Sequence, residues 1–406
     1  MRDTDLYSRL LGISEPWSVS LVEIDTPNKS VTVTVRLDAT APLTCPHCGQ
    51  VSPRYDSRRR SWRHLDTMQF QTMLEADIPR VTCGDHGVVQ LPVPWAEPGS
   101  RFTAMFEALV IDWLKVAPAN AVAGYLRLSW NATDGIMQRA VKRGLARRQA
   151  TPVTDISVDE TSFQRRHEYV TVVTDQASGA VIHLADNRTM ESLDSYFQGL
   201  SSEECSAIES VSMDMWPAYI GVVRRYVPDA DRRICFDKFH VAKYFGDAVD
   251  RVRRAEHRRL TADGDNRLKK TRYRWLENPN SMSVKNWESF QNLRHSALQT
   301  ARAWAIKEHA MCLWHYTSRT WAVKQWSALL SWAMHSRLDP IKKVALTIRT
   351  HLWGIINAIV LQKSNAMAES VNSRIQRVKA RACGFRNRQR FRTAIFFHLG
   401  QLDLYP

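Results

Sequence analysis

From Thr154 the hydrophobic period of the chain changes, and that change limits the possible folds more than any other feature of the sequence. The short apolar run at 156–159 ends on Asp159. Residues 169–174 and 179–185 flank Asp175-Gln-Ala-Ser-Gly179, a turn composition, which predicts a hairpin. Residues 190–200 carry helical spacing, and 211–214 is a second short apolar run, ending on Asp214. A helix over 216–227, a strand over 232–236 and a long basic helix from 238 to about 260 complete the series.

Strand, hairpin, helix, strand, helix, strand, helix is an order that builds a mixed α/β sheet of ribonuclease H type. Residues 261–361 then show only helical patterning, with Trp275, Trp287, Trp304, Trp314, Trp321, Trp326, Trp332 and Trp353 expected mostly as core. Upstream, 30–38 alternates strictly, with Val31, Val33, Val35 and Leu37 on one side of a half-buried strand. A chain of 406 residues is too long for one ordinary core. With Cys45, Cys48, Cys83 and His86 at zinc-ligand spacing and a helix pair around Ser129 upstream, the expected fold class is multidomain α/β, a ribonuclease-H-like mixed sheet core interrupted by an all-α insertion, with an N-terminal zinc-binding module and a helix-turn-helix. The expected boundaries are a strand segment with a loop-rich zinc module at 1–98 and a helix-turn-helix at 99–150. The first part of the core follows at 151–260, the insertion at 261–361 and the last part of the core at 362–406.

Asp159 and Asp214 both end short strands, where a side chain reaches the lip of a sheet. A third acid, Glu369, lies on a patterned helix that includes Asn365-Ala-Met-Ala-Glu369-Ser-Val-Asn372-Ser-Arg-Ile-Gln376. At helical spacing Val371, Ile375, Val378 and Ala382 form an apolar stripe, and Asn365, Glu369, Asn372 and Gln376 form a second. Arg374, Arg377 and Arg381 form a third, suited to DNA phosphates. Phosphodiester transfer needs a water or 3′-hydroxyl in line with the leaving oxygen, and two divalent ions about 3.5–4 Å apart stabilise both oxygens. Asp159, Asp214 and Glu369 are the expected ligands of two Mg²⁺ (or Mn²⁺) ions, because magnesium takes carboxylate oxygens and keeps its waters. Asp237-Lys-Phe-His240, at the end of the third strand, supplies a rival to Asp214. Asp237 can cap the following helix while His240 faces the sheet edge, orienting the scissile phosphate or a ligating acid.

Cys45-Pro-His-Cys48 and Cys83-Gly-Asp-His86 form two pairs with the same short spacing, which lets two tight turns aim four N/S ligands at one structural Zn²⁺. His47 and His64 compete with His86, but only His86 repeats the gap. Between the pairs, Arg58, Arg59 and Arg60 stand among aromatics as candidate phosphate contacts. Cys205, Cys235, Cys312 and Cys383 read as reduced core residues.

Residues 117–126 form a short helix, Arg127-Leu-Ser129 a turn, and a second helix starts near Asn131 with Ser129 as its cap. In such helix pairs the first turn of the second helix reads bases. Asn131, Thr133, Asp134 and Gln138 are candidates for that, and Arg139, Lys142 and Arg143 for phosphates. The net charge of +15 favours a polyanionic partner, DNA above an anionic membrane. Without a long apolar run or an apolar leader, a cytoplasmic protein is expected.

These blocks together resemble the ISL-three family of bacterial insertion-sequence transposases over nearly the whole chain. The resemblance rests on Cys45-x-x-Cys48 with the Cys83 pair, Val158-Asp159-Glu160-Thr161, and Met213-Asp214-Met-Trp216-Pro-Ala-Tyr219. It continues through Phe236-Asp237-Lys-Phe-His240 and Asn365-x-x-x-Glu369-x-x-Asn372-x-x-Ile375, followed by basic residues and Gly384-Phe385. It implies a DDE transposase that binds terminal inverted repeats, cuts DNA and joins it to a target, acting as a dimer or larger assembly. An Asp-x-x-His pair after the second catalytic acid fits related transposases and favours Asp214 as the ligand. His86 stands where the family leads one to expect a cysteine, a swap zinc tolerates. The competing expectations are a DNA-binding regulator with an inactive core and a ribonuclease-H-like nuclease without strand transfer.

Overall fold

The computed structural model describes residues 2–149, 152–164, 168–296 and 298–406. Its contacts divide the chain into two compact units, Met1–Gln149 with Phe396–Pro406, and Ala150–Ile395.

The first unit holds a five-stranded sheet made of β1 (Trp17–Asp25), β2 (Ser30–Leu37), β3 (Arg54–Arg63), β4 (Gln71–Cys83) and β5 (Gly87–Gln90). Their order is β1-β2-β4-β3, with β5 also on β4, and only the β2–β4 pair is parallel. The alternation read at 30–38 buries Val31, Val33 and Val35 against Trp62, Leu74 and Trp95. The Trp95 indole meets Trp17 and Trp62 edge to face, at 5.0 and 5.5 Å. The module expected to be loop-rich is thus largely sheet. Its charged stretch 54–63 hid a strand because β3 lies at the sheet edge, where charges block unwanted pairing.

Three helices follow, Ala104–Val116, Ala119–Tyr125 and Trp130–Arg147. The last is closed over by the C-terminal segment. A Cβ on Gly144 would stand 2.6 Å from the Leu402 Cβ, Arg143 donates to the Leu404 carbonyl, and Arg148 donates to the Gly400 carbonyl at 2.7 Å.

The second unit is built on β6 (Asp155–Gln164), β7 (Glu168–Asp175), β8 (Val181–Asp186), β9 (Ser210–Met213) and β10 (Ile234–Phe236), in the order β10-β9-β6-β7-β8. β6, β7 and β8 form an antiparallel meander, and β9 and β10 run parallel to β6. β9 meets β6 only over residues 155–157, while β6 continues to Gln164 against β7. Asp159 therefore lies within its strand, not at the end that the short apolar run suggested. The stretch of β6 that β9 leaves uncovered is met by the helix Ala366–Arg381.

Between β10 and that helix the chain is helical among the described residues, from Lys238–Ala262 to Leu352–Val360. Its apolar side chains form one continuous core with the sheet, including Trp275, Trp304 and Trp326, whereas Trp321 and Trp332 are exposed. The helix Leu352–Val360, within the stretch read as insertion, rests on β10. Asn357 donates its amide to the Ile234 carbonyl at 2.9 Å, and a Cβ on Gly354 would stand 2.4 Å from the Phe236 ring. Cys205 and Cys235 are buried, but Cys312 and Cys383, expected in the core, are exposed. No helix of the described residues is long and apolar enough to cross a membrane.

Gly354→Ala adds helix propensity of about 1 kcal/mol but forces the buried Phe236 to move, an overpacking that costs about 1–3 kcal/mol. The expected result is a net loss of stability in urea unfolding. An unchanged midpoint would mean that this helix does not bear on β10.

Candidate active site, zinc centre and DNA-facing helix

Ser157 pairs with Ser212 and Met213 with Phe236. Asp159 lies two residues past the last β6–β9 pair, and Asp214 and Asp237 directly follow β9 and β10, close enough for the charges of both to act on Asp159. Asp214 and Asp237 are 15% and 3% exposed at the side chain. Burial lifts the Asp159 carboxyl above its ordinary range; the Glu160 amide and His240 oppose this, and the charges of Asp237 and Asp214 add to it.

Arg188 and the titratable His240 face these acids. Arg188 Nε lies 2.7 Å from Glu160 Oε1, its Nη2 lies 3.3 Å from Asp214 Oδ2, and its guanidinium carbon sits 4.6 Å from the Trp216 ring centroid. His240 Nδ1 lies 3.1 Å from Asp237 Oδ2 and its Nε2 lies 3.9 Å from Asp214 Oδ2. The carboxylate can only accept, so Nδ1 carries the donated hydrogen. Burial alone would lower the His240 pKa, but the Asp237 hydrogen bond and the charges of Asp214, Asp237 and Asp159 outweigh it and raise it. Asp237 stands at the N-cap of Lys238–Ala262 yet makes no capping bond, contrary to expectation, because its carboxylate is engaged by His240. Glu160 is pushed up to about 7, by burial first and by Asp159 and Asp214, against the pull of Arg188.

On the helix Ala366–Arg381, Val371 and Ile375 are buried, but the apolar stripe fades at Val378 and Ala382 is exposed. The amide stripe fastens the helix along β6. Asn372 Nδ2 donates to Asp159 Oδ2 at 2.7 Å and to the Glu160 carbonyl at 3.2 Å. Gln376 donates to Thr161 Oγ1 at 2.8 Å and Lys379 to the Ser162 carbonyl at 2.9 Å. Glu369 is exposed, and its carboxyl is raised by desolvation first and then by Asp237 and Asp159, against His240. Arg374, Arg377 and Arg381 are exposed. The sequence reading assigned no role to Glu160, Arg188 or Asn372 individually. Glu160 and Asn372 stood inside quoted motifs, while nothing in the sequence marks Arg188.

In the first unit the ligand atoms of Cys45, Cys48, Cys83 and His86 all lie within 4.8 Å of one another. The Cys48 and Cys83 sulfurs are 3.6 Å apart, and the Cys83 sulfur is 3.5 Å from His86 Nδ1. A zinc tetrahedron with Zn–S near 2.3 Å has edges of about 3.8 Å, so the set fits that ion. The first pair sits on a turn closed by Gly49 N–H to the Cys45 carbonyl, with Gly49 at φ +73°, and the second on the β4–β5 turn. The hydrogen bond with His86 leads the effects that hold the Cys83 thiol down at about 6, in the thiolate form that zinc takes. His64, a competitor, is buried against Thr103, and burial lowers it to about 4.

Ser129 caps Trp130–Arg147 by accepting from the Ala132 amide. Asn131, Gln138 and Lys142 are exposed, at spacings that share one helix face. Other expected contacts are corrected by their surroundings. Thr133 is fully buried and bonds back to the Ser129 carbonyl at 3.3 Å, and Asp134 is buried. Arg143 is buried between Glu97 and Glu107, and Arg139 is held by Glu107 at 2.5 Å. These two arginines neutralise the buried Glu107 and the partly exposed Glu97 and have no spare charge for phosphate. On β3, Arg58 and Arg59 are both exposed, Arg59 pairing with Glu75, and Arg60 lies over Trp62.

A carboxyl raised to about 7 from 4.5 stabilises the fold below about pH 4.5 and loses that contribution as pH rises through 7. Asp159, Glu369 and His240, all raised, act in the same direction. In metal-free buffer the thermal midpoint should fall between about pH 5 and pH 7.5, and Glu160→Gln should flatten that slope by on the order of 3 kcal/mol. A slope the same as wild type would exclude Glu160 as its source. For the N-terminal set, elemental analysis should find one zinc per chain, reduced in His86→Ala; undiminished zinc would remove His86 from the ligands.

A family model described as a transposase matches residues 156–395. A second, the zinc-finger of the transposases of IS204, IS1001, IS1096 and IS1165, matches 41–86, and a third, the helix-turn-helix domain of transposase family ISL3, matches 91–141. The chain is 28% identical over 424 residues to the transposase for insertion sequence element IS1557 of Mycobacterium tuberculosis, covering 96% of this chain and 94% of that protein. It is 23% identical over 387 residues to the transposase for insertion sequence element IS1001 of Bordetella parapertussis, covering 94% and 95%. A transposase domain matched over more than half of the chain, preceded by the zinc finger and helix-turn-helix of the same group, makes this chain a member of the ISL3 family of insertion-sequence transposases.

Proposed function

We propose that the chain cuts DNA at the terminal inverted repeats of its insertion sequence and joins the freed end to target DNA, with Asp159, Asp214 and Glu369 as ligands of two divalent cations. The observation that carries this reading is the gathering of Asp159 on β6 with Asp214 and Asp237, which directly follow β9 and β10, around His240, with the Glu369 helix fastened to β6. A ribonuclease-H-like core is supported by the β10-β9-β6-β7-β8 order, an antiparallel meander followed by two strands parallel to its first. Asp159 and Glu369, raised by burial first and by neighbouring carboxylates second, belong to a donor set suited to hard cations such as Mg²⁺ or Mn²⁺. When bound, such ions supply charge stabilisation to the attacking and leaving oxygens of an in-line displacement.

The residues around the acids have separable tasks. Asn372 orients the Asp159 carboxylate through its Nδ2, and its buried Oδ1, with no hydrogen-bond partner, would accept from an incoming hydroxyl. His240 holds its proton toward Asp237 and keeps its other nitrogen toward Asp214, which limits the motion of that acid. Water attacks the first phosphodiester and releases a 3′-hydroxyl; that hydroxyl attacks the target phosphodiester and expels a second 3′-hydroxyl. No protein side chain becomes bonded to DNA. Asn131 and Gln138 would read bases, with Lys142, Arg58, Arg374, Arg377 and Arg381 on phosphates. Handling two ends together calls for at least a dimer.

With Mg²⁺, a labelled element end and a target plasmid, wild type should cut and join. Asp159→Asn, Asp214→Asn and Glu369→Gln should each bind the end normally and lose both reactions by at least about 100-fold. An inert wild type that still binds the end would support a regulator, and cutting without joining a nuclease. An active Asp214→Asn beside a dead Asp237→Asn would move the second ligand to Asp237.

A further inference from the structure

We infer that Arg188 is a place-holding cation, paired with Glu160 and Asp214 while the acid site is metal-free and transferred to a DNA phosphate when divalent cations take the carboxylates. The inference rests on the proposed role of Asp214 as a metal ligand.

The manner of pairing sets Arg188 apart. Arg143, a structural arginine of the same chain, grips Glu97 as a fork, Nε to Oε1 at 2.5 Å and Nη2 to Oε2 at 2.6 Å, and is 7% exposed. Arg188 instead gives one nitrogen to each of two acids, Glu160 on β6 and Asp214 just past β9, at 2.7 and 3.3 Å, and is 31% exposed. Two single contacts hold a guanidinium less firmly than a fork, and they leave its phosphate-matching geometry uncommitted. Arg188 would yield that Asp214 oxygen to a bound divalent ion, which would carry twice its charge.

The backbone keeps Arg188 in place through such an exchange. β8 ends at Asp186, and Asn187 turns the chain at φ +70°. The Asn187 N–H donates to the Tyr169 carbonyl at 2.8 Å and its carbonyl accepts from Thr171 Oγ1 at 2.7 Å. Thr189 then begins the helix Met190–Phe197 with a capping box to Ser192. With both neighbours pinned, only the side chain can swing. The Trp216 indole, 39% exposed at the same lip, offers a face on which the guanidinium stays stacked as it changes partner.

The test uses the full chain, with Mn²⁺ binding followed by calorimetry in the absence of DNA and single-turnover cleavage of an element end at saturating Mn²⁺. Arg188→Gln removes the competing cation and should bind Mn²⁺ about 3- to 10-fold more tightly, yet cleave at least about 100-fold more slowly. Arg188→Lys keeps the charge and loses the fork, so it should hold wild-type Mn²⁺ affinity and still cleave about 10-fold more slowly. Unchanged or weaker Mn²⁺ binding in a folded Arg188→Gln overturns the place-holding role, as does tighter binding in Arg188→Lys. A wild-type cleavage rate in either variant overturns the transfer to phosphate. Asp214→Asn serves as the separate control: wild-type Mn²⁺ binding in that variant would overturn the metal-ligand reading itself.

Discussion

The parallel ladder between β6 and β9 is three residue pairs long, and the second unit depends on its being that short. Just past its end Asp159 comes under the charges of Asp214 and Asp237, which directly follow β9 and β10. Its early end leaves the rest of β6 without a strand on that side. Asn372, Gln376 and Lys379 then bond to successive residues of β6 from a helix more than two hundred positions downstream. Two more pairs of ladder would occupy the edge those side chains use. One pair fewer would leave Asp214 on a looser tether.

Acids gathered this way repel, and the unit answers with three different kinds of partner. Arg188 brings a permanent charge, His240 a titratable one, and Asn372 a neutral dipole. The division has a physical logic. A second fixed cation against Asp159 would oppose any ion sharing its carboxylate, whereas an amide donor orients the oxygen without contributing net charge. Asp159, Glu160 and Glu369 are still shifted upward, by burial first and by the neighbouring acids second.

Much of this was legible in the sequence where one residue type answers to one local force. The strand and helix order of the second unit, the helix pair with Ser129 as cap, and the four zinc-spaced ligands follow from period, capping and spacing. Three kinds of feature were not legible. The strand β3 was obscured because an edge strand carries charge where an interior one carries valine. Thr133, Arg139 and Arg143 look like DNA contacts on a helix drawn alone, and only tertiary packing supplies Glu97 and Glu107 as partners. Arg188 is one arginine among many until the turn after β8 sets it between two acids. The helix Leu352–Val360 shows the same limit, since no periodicity tells which neighbour a helical face covers.

The closure of Trp130–Arg147 by the C-terminal segment joins residues that are far apart along the chain. The Arg143–Leu404 bond spans 261 positions, and the Arg148–Gly400 bond spans 252. Everything between them is, topologically, one loop that contains the whole second unit. A closure that long is entropically affordable only because the intervening chain has its own core and behaves as a compact insert, not as free coil. During synthesis the helix-turn-helix emerges early but lacks its closing partners until the final residues follow.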